Sequence, residues 1–447
     1  MTTINVRFAP SPTGKLHVGN IRLALINWLF AKKQDGYFIL RIDDTDCERS
    51  SSEYEKMIIQ DLMWLGLTWD FKFNQSERIK IYDQAIEKLK ITGRLYPCYE
   101  TPEELKYKRK HQLAKGTPPI YDREALTINN ETRKTFESEG RKPHWRFKLK
   151  DEEISWNDLC RGFCRYHVSN LSDPILIRAD GSLLYTLPSV VDDSELNITH
   201  VIRGEDHVTN TATQIQIFLA LGTTIPQFAH LPLLTDDSNQ VLSKRLNSFS
   251  ISELRTSGID AMALTSLLSK LGTSDSIQPH QSLIELISEF NIEKFSRATP
   301  KFNFAELKHL NSSLLHEMSF EQAKPRIKNI GICCTEEFWI AIRNNLSQLN
   351  TVKDWWYICY KEITPIITNL SFTKMAAELL PQEPWVTTTI WNDWIAILQQ
   401  TTGYKGRNLF HPLRLALTGC KSGPGMKALL PIIGRSRAVA RLNGNFA

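Results

Sequence analysis

The sequence predicts an α/β protein built on a parallel sheet, interrupted by a polar insert and followed by an all-helical second half. Three observations carry this. Up to Asp70 the chain alternates between short apolar strands and amphipathic helices. A more polar, mixed stretch over 95–187 breaks the alternation. From Ile251 onward apolar residues recur mostly at helical spacing.

The first strand is expected at Asn5–Phe8. Pro10-Ser11-Pro12-Thr13-Gly14 then excludes regular structure, because two prolines and a glycine punctuate the chain. Val18–Lys33 reads as a helix, with Ile21, Leu25, Trp28 and Leu29 at helical spacing. Gly36 ends it before a strand at Tyr37–Ile42, and a second helix follows near Glu53–Leu65. Strand, loop, helix and strand make a βαβ unit, which argues for parallel pairing. The insert carries Pro118, Pro119, a turn at Asn129-Asn130-Glu131 and a basic run from Lys106 to Lys110. A buried strand resumes at Ile198–Ile202, and Leu231–Leu234 is strand-like. Helices are expected at Ala261–Leu271, Ser282–Glu289, Phe304–Asn311, Glu336–Leu349 and Val352–Ile363.

Composition bounds the function. A chain of 447 residues suggests roughly three domains on a ~150-residue prior. Hydrophobic residues at 42% and charged residues at 23% fit a globular protein with a large core. No apolar run reaches the ~18 residues of a membrane span, so no membrane partner is expected. No basic stretch precedes an apolar one at the N-terminus, which argues against an export signal and for a cytoplasmic location. Cys47, Cys98, Cys160, Cys164, Cys333, Cys334, Cys359 and Cys420 show no disulfide spacing, which suits a reducing compartment. Cys160 and Cys164 are spaced to share a helix face, but two ligands do not make a zinc site. Net charge is only +5. Its distribution is uneven: Thr401–Ala447 has no acid, yet holds Lys405, Arg407, Arg414, Lys421, Lys427, Arg435, Arg437 and Arg441. Such a segment suits a polyanion, whose phosphates Lys and Arg neutralise, and equally a solvated basic face.

Two segments carry chemistry. At the first strand–helix junction, Ala9 to Asn20 contains no glycine-rich phosphate fingerprint. Instead His17 and Asn20 sit three apart in the first helical turn with Gly19 between them, so both can donate to one phosphate. Taken alone, His17 reads better as a residue that caps or packs the helix. The second segment, Val241-Leu242-Ser243-Lys244-Arg245, can bring cationic charge to a phosphate chain. The two together, in this order, are far more specific than either.

The first segment resembles the His-x-Gly-His element of class I aminoacyl-tRNA synthetases, and the second their Lys-Met-Ser-Lys-Ser element. Longer words resemble the glutamyl branch: Arg7 to Gly14, Arg41-Ile42-Asp43-Asp44-Thr45-Asp46, and Val201 to His207. Lys405-Gly406-Arg407, Pro412 to Gly419 and Gly423-Pro424-Gly425 extend the likeness to the bacterial-type C-terminal region. The resemblance implies a Rossmann-type catalytic domain at 1–94 and 188–240, with an inserted acceptor-stem-binding domain at 95–187. It further implies an all-α stem-contact domain at 241–315 and a helical anticodon-binding domain at 316–447.

The implied reaction is activation of L-glutamate by ATP with Mg²⁺, followed by transfer to the 3′ end of tRNA(Glu). A non-discriminating or tRNA(Gln)-directed enzyme is the alternative, then a tRNA-modifying relative, then a non-catalytic tRNA-binding paralogue. By resemblance, Arg7, Tyr185 and Arg203 would hold the side-chain carboxylate, Asp43 would meet the ammonium, and Ala9, Ser11 and Ser189 would line that site. Pro10, Ser11, Thr13, Gly14, His17, Gly19, Asn20, Asp206, Leu242, Ser243, Lys244 and Arg245 would meet ATP, with His17, Asn20 and Lys244 catalytic. An arginine fork suits a carboxylate because it bonds both oxygens. The attacking α-carboxylate is already ionised at neutral pH, so the first step needs positioning and charge stabilisation rather than a base. Three positions depart from the family's usual residues, Val241 for lysine, Asn20 for histidine and Asp43 for glutamate, and Ser189 stands where some relatives have asparagine. Many bacterial members carry zinc in the insert. Here Cys98-Tyr99-Glu100 and Tyr121-Asp122-Arg123 lack the cysteines, so no structural zinc is expected. A monomer is expected.

Overall fold

The computed structural model describes residues 3–46, 48–240, 250–385 and 389–447. They pack into two compact units: Met1–Glu253 with Thr265–Asn303, and Leu254–Leu264 with Phe304–Ala447.

The first unit opens as the apolar pattern predicts, with β1 (Asn5–Phe8), α1 (Val18–Lys33), β2 (Tyr37–Ile42) and α2 (Ser52–Trp64). Gly36 permits a close approach there, because a Cβ would sit 2.4 Å from the Ile4 carbonyl oxygen. There follow β3 (Phe71–Asn74), α3 (Ile79–Ile91), β4 (Leu95–Cys98), α4 (Pro102–Ala114), α5 (Asn130–Ser138) and β5 (His144–Phe147). Next come β6 (Glu153–Asp158), β7 (Gly162–His167), β8 (Ile175–Ile177), α6 (Thr186–Glu195), β9 (His200–Gly204), α7 (Val208–Leu221) and β10 (Gln227–Leu231).

The main sheet has the order β3-β2-β1-β9-β10-β6-β7. All its pairings are parallel except β6 with β7. Strand order reverses between β1 and β9, the switch point of a doubly wound sheet, where ligands bind beyond the carboxyl ends of the strands. The polar stretch over 95–187 divides in two. Strands β4, β5 and β8 form a separate antiparallel sheet, whereas the β6–β7 hairpin extends the main one. Ile154, Trp156 and Asp158 alternate with exposed residues along β6, so one face of the hairpin is buried.

Several expectations shift. Strand β9 begins at His200, because the Ile198 N–H still closes α6 by donating to the Asp193 carbonyl at 2.9 Å. Strand β10 ends at Leu231, ahead of Pro232, which has no N–H to pair. Asn129 is a helix cap rather than part of a turn, since its Oδ1 accepts from Thr132 N–H at 2.8 Å and Asn130 begins α5. Cys160 and Cys164 do not share a helix face: Cys160 lies in the β6–β7 turn and Cys164 on β7.

Helices α8 (Ile251–Thr256), α9 (Ala261–Lys270) and α10 (Leu283–Glu289) come next in the chain. In the second unit, α11 (Phe304–Glu317) is longer than expected, and α12 spans Phe320–Asn329. Helix α13 (Glu336–Ile342) stops short of Leu349, passing into a 3₁₀ turn before the chain extends at Leu346. Helix α14 (Val352–Tyr360) likewise ends early, at an extended Lys361. Helices α15 (Leu370–Glu378), α16 (Ile390–Thr402), α17 (Arg407–Thr418), α18 (Met426–Ile433) and α19 (Arg435–Leu442) complete the unit. They enclose a core containing Trp339, Trp394, Phe338 and Leu413.

Candidate active site

A cavity of about 750 Å³ lies at the carboxyl ends of β1, β2 and β9. Arg7, Ala9, Pro10, Ser11, Thr13, His17, Gly19, Asn20, Asp43, Tyr185, Ser189, Arg203 and Asp206 all line it. Gly14 is not among the lining residues. Leu242, Ser243, Lys244 and Arg245, with Val241, lie outside the described residues.

The junction after β1 is fixed by its backbone. Asp43 N–H donates to the Pro10 carbonyl at 3.0 Å, and Ser51 N–H to the Pro12 carbonyl at 3.0 Å. His17 caps α1: its Nδ1 accepts from Gly19 N–H at 3.1 Å, while Asn20 Oδ1 accepts from His17 N–H at 3.3 Å. Capping and phosphate binding are therefore compatible roles. Accepting at Nδ1 places the imidazole proton on Nε2, and accepting at Oδ1 leaves Asn20 its amide donors. A Cβ on Gly19 would lie 3.0 Å from the His17 ring, so the glycine keeps the cap open.

Opposite charges are packed into the other end of the cavity. Arg7 forks onto Asp193 from α6, Nε to Oδ1 at 3.0 Å and Nη2 to Oδ2 at 3.3 Å. Arg41 on β2 reaches the same Asp193 at 2.9 Å and forks onto Asp43 at 2.7 and 3.1 Å. It also donates to Ser189 Oγ at 3.2 Å. Burial works against the Arg41 charge, but Asp43 and Asp193 raise its pKa regardless. Burial raises the Asp43 carboxyl, with Arg41 opposing.

Arg203 on β9 is held differently. Its Nε donates to His230 Nε2 at 3.1 Å, and its Nη2 to Thr211 Oγ1 at 2.7 Å and the His207 carbonyl at 3.3 Å. None of these acceptors is a carboxylate. Burial, with Arg7 nearby, pulls its pKa down to about 10, still well above neutrality. Of Arg7, Arg41 and Arg203, the first two bond carboxylates, Arg41 also lying 3.9 Å from Asp192, whereas the hydrogen bonds of Arg203 go to neutral acceptors. Tyr185, on the same cavity, accepts from the Asn210 amide.

Sequence reasoning missed Arg41, Asp193, His207, Thr211 and His230. The signal for Arg41 was a lone cation inside the apolar run Tyr37–Ile42, and for Asp193 an acid pair directly after the apolar Val190-Val191 in the second half of α6.

The insert also gathers donors. Pairing of β4 with β5 sets Cys98 opposite His144, and these two with Glu100 place ligand atoms within 4.8 Å of one another. His144 did not figure in the zinc expectation. Tyr121 donates to Glu100 at 2.7 Å, Lys108 Nζ lies 3.6 Å from Glu100, and the Arg146 guanidinium sits 4.0 Å over the Tyr121 ring. Burial pushes the Cys98 thiol up to about 12 and His144 down to about 4.

The fold and cavity together define a Rossmann-type protein that can hold phosphates at the first helix, beside an arginine bonded only to neutral acceptors. The family described as tRNA synthetases class I (E and Q), catalytic domain, matches residues 3–309, and an anticodon binding domain matches 368–445. The chain belongs to the class I tRNA synthetases of this E and Q family. It is 54% identical to the glutamate–tRNA ligase of Azospirillum brasilense, over the whole of both chains. A second such ligase, from Methylorubrum populi, is 50% identical over 99% of each chain. Among solved structures, a glutamate tRNA ligase from Elizabethkingia meningosepticum in complex with its amino acid aligns with a TM-score of 0.87, at 28% identity over 99% of each chain. Among the described residues, no helix is long and apolar enough to cross a membrane.

Proposed function

We infer that this chain acts as a glutamate–tRNA ligase, activating L-glutamate with ATP and esterifying it to the 3′ end of tRNA(Glu). The observation that carries the substrate is Arg203, a partly buried guanidinium on the cavity bonded only to neutral acceptors. A carboxylate pairs with that charge, whereas the amide of glutamine leaves it uncompensated. A charge-assisted hydrogen bond contributes ~1.5–3 kcal/mol, so losing one disfavours glutamine by roughly tenfold or more.

In this reading Arg203, Tyr185 and Arg7 receive the side-chain carboxylate. Asp43 faces the ammonium, and Ala9, Ser11 and Ser189 shape the floor. The α-carboxylate attacks the α-phosphorus of ATP and pyrophosphate leaves. A ribose hydroxyl of the tRNA terminus then attacks the adenylate carbonyl and AMP leaves. His17 Nε2 and Asn20 Nδ2 donate to phosphate oxygens, and Lys244 adds charge as the pyrophosphate separates. Pro10, Thr13, Gly14, Gly19, Leu242, Ser243 and Arg245 complete the ATP contacts. Magnesium would neutralise phosphate charge, and Asp206, a half-exposed carboxylate on the cavity, would be the residue placed to hold it. Charging of purified tRNA(Glu) and tRNA(Gln) tests the reading: esterification of tRNA(Glu), with tRNA(Gln) unloaded, is expected. Loading of neither overturns it. Lys244→Ala should sharply reduce glutamate-dependent ATP–pyrophosphate exchange.

We also propose that the insert binds no zinc, because Lys108 and Arg146 already supply positive charge beside Glu100 and Cys98. Stoichiometric zinc in protein purified without chelator overturns this. The chain is proposed to work in the cytoplasm as a monomer, which light scattering would show as a particle near 51.3 kDa.

A further inference from the structure

The arginine central to the proposed substrate reading is itself held by a buried pair that is not among the residues lining the cavity. His230, at the carboxyl end of β10, is fully buried, as is the carboxylate of Asp158 at the end of β6. His230 Nδ1 lies 2.5 Å from Asp158 Oδ2, and His230 N–H donates to Asp158 Oδ1 at 3.1 Å. Asp158 Oδ1 also accepts from the backbone N–H of Cys160 at 3.1 Å and of Arg161 at 3.0 Å. A carboxylate receiving so many donors stays ionised, and it accepts a hydrogen bond from the imidazole Nδ1–H. Burial works against the Asp158 charge, yet its hydrogen bond with His230 keeps the group below the ordinary range.

That arrangement leaves His230 Nε2 as an acceptor. Its neighbours require this. Arg203 Nε can only donate, and it sits 3.1 Å away. Thr211 Oγ1 accepts from Arg203 Nη2 at 2.7 Å, so His230 and Thr211 occupy one whole edge of the guanidinium. Burial lowers the His230 pKa and keeps the ring neutral. A protonated ring would set a second cation against Arg203.

We propose that Asp158 and His230 are positioning residues that fix the imidazole tautomer and thereby aim the remaining edge of Arg203 at the carboxylate of glutamate. This rests on the reading of Arg203 as a substrate ligand. It gives the β6–β7 hairpin a role in amino-acid selection, because the hairpin delivers Asp158 to the edge of β10 at its pairing with Phe228. Asp158 acts only through His230.

The test uses the full-length enzyme with tRNA present, in glutamate-dependent ATP–pyrophosphate exchange. Asp158→Asn can donate to Nδ1 and drive the proton to Nε2, against Arg203. KM for glutamate should rise about tenfold or more while KM for ATP changes little, as expected for one lost charge-assisted bond. The ratio of glutamate to glutamine activation should fall with it. His230→Gln can still accept from Arg203 Nε, so it should retain more glutamate affinity than His230→Leu. Should Asp158→Asn fail to fold, Thr211→Val and the two His230 variants decide by the same split. Unchanged KM for glutamate in the folded variants, or equal losses for glutamate and ATP, overturns the proposal. Arg203→Ala, run in parallel, separates the two ideas. If it leaves KM for glutamate unchanged, the substrate reading fails. If it raises KM but Asp158→Asn and Thr211→Val do not, only the positioning role fails.

Discussion

At the scale of single residues, the site uses each polar side chain twice, once for structure and once toward the cavity. His17 shows this most simply: Nδ1 closes the first turn of α1, and that bond leaves the proton on the other nitrogen. Gly19 is the residue that permits both. Adding one methyl group there sets a carbon 3.0 Å from the imidazole, so the ring must give by a few tenths of an ångström. Gly19→Ala should therefore lower the exchange rate about tenfold or more, because a displaced donor no longer meets the transferring phosphate. Stability should change by less than ~1 kcal/mol, since alanine is itself a good helix former. A denaturation midpoint beside the exchange rate would check this, and a normal rate in the folded variant would detach His17 from the chemistry.

At the scale of elements, the insert and the C-terminal helices each carry a testable consequence. His144 on β5 is buried, and its pKa falls to about 4 through burial, with Arg146 adding to it. In the unfolded chain it titrates near 6.5. As pH drops below that value the unfolded chain takes up a proton that the folded chain refuses until about pH 4. Stability is thus full above ~6.5 and declines below it, by about 3 kcal/mol near pH 4. Urea titrations across this window should show the loss, and His144→Gln should flatten it relative to the parent. The acid-free tail separates into two populations. Lys405, Arg407, Lys421 and Lys427 are exposed. Arg441 is fully buried and donates to the carbonyls of Leu417, Lys361 and Ala447 at 2.7–2.9 Å, while Arg414, Arg435 and Arg437 also bond backbone carbonyls. Lys427→Ala should weaken tRNA binding and reduce the salt slope by about one. Arg441→Ala should instead cost about 3 kcal/mol of stability, by removing a fully buried guanidinium and its three bonds to backbone oxygens. Equal effects of the two on salt dependence would contradict the division. Strands β1 and β2 and helix α1 were legible because their signals are local: apolar runs, a proline-rich loop and a close-packed Gly36. The β6–β7 hairpin was not, because its place in the sheet depends on pairing Asp158 with Phe228, seventy residues away in sequence.

Over the whole molecule, the same distinction governs what the sequence could say about the site. The words around Arg7, His17, Asp43 and Arg203 were readable because they lie on or directly after three strands, β1, β2 and β9, and all four line one cavity. Arg41 looked like strand filler, and the Asp158–His230 pair joins residues from different parts of the chain. The two compact units carry separate cores: one includes Tyr82, Phe147, Phe218 and Phe228, the other Phe338, Trp339, Trp394 and Leu413. The cavity belongs to the first unit alone. A ligand that binds only the folded cavity stabilises it by about 2.7 kcal/mol at a hundred times its dissociation constant. Calorimetry of the full chain should therefore resolve more than one transition, and a non-reactive glutamyl-adenylate analogue should raise only the one assigned to the first unit. The assignment comes from Trp394→Leu, which removes a fully buried indole in the second core and should lower the other transition by the equivalent of about 3 kcal/mol. If analogue and substitution move one shared transition, the units unfold as a single cooperative body, and the stability loss predicted for Arg441→Ala must then appear in that same transition, where the analogue offsets it.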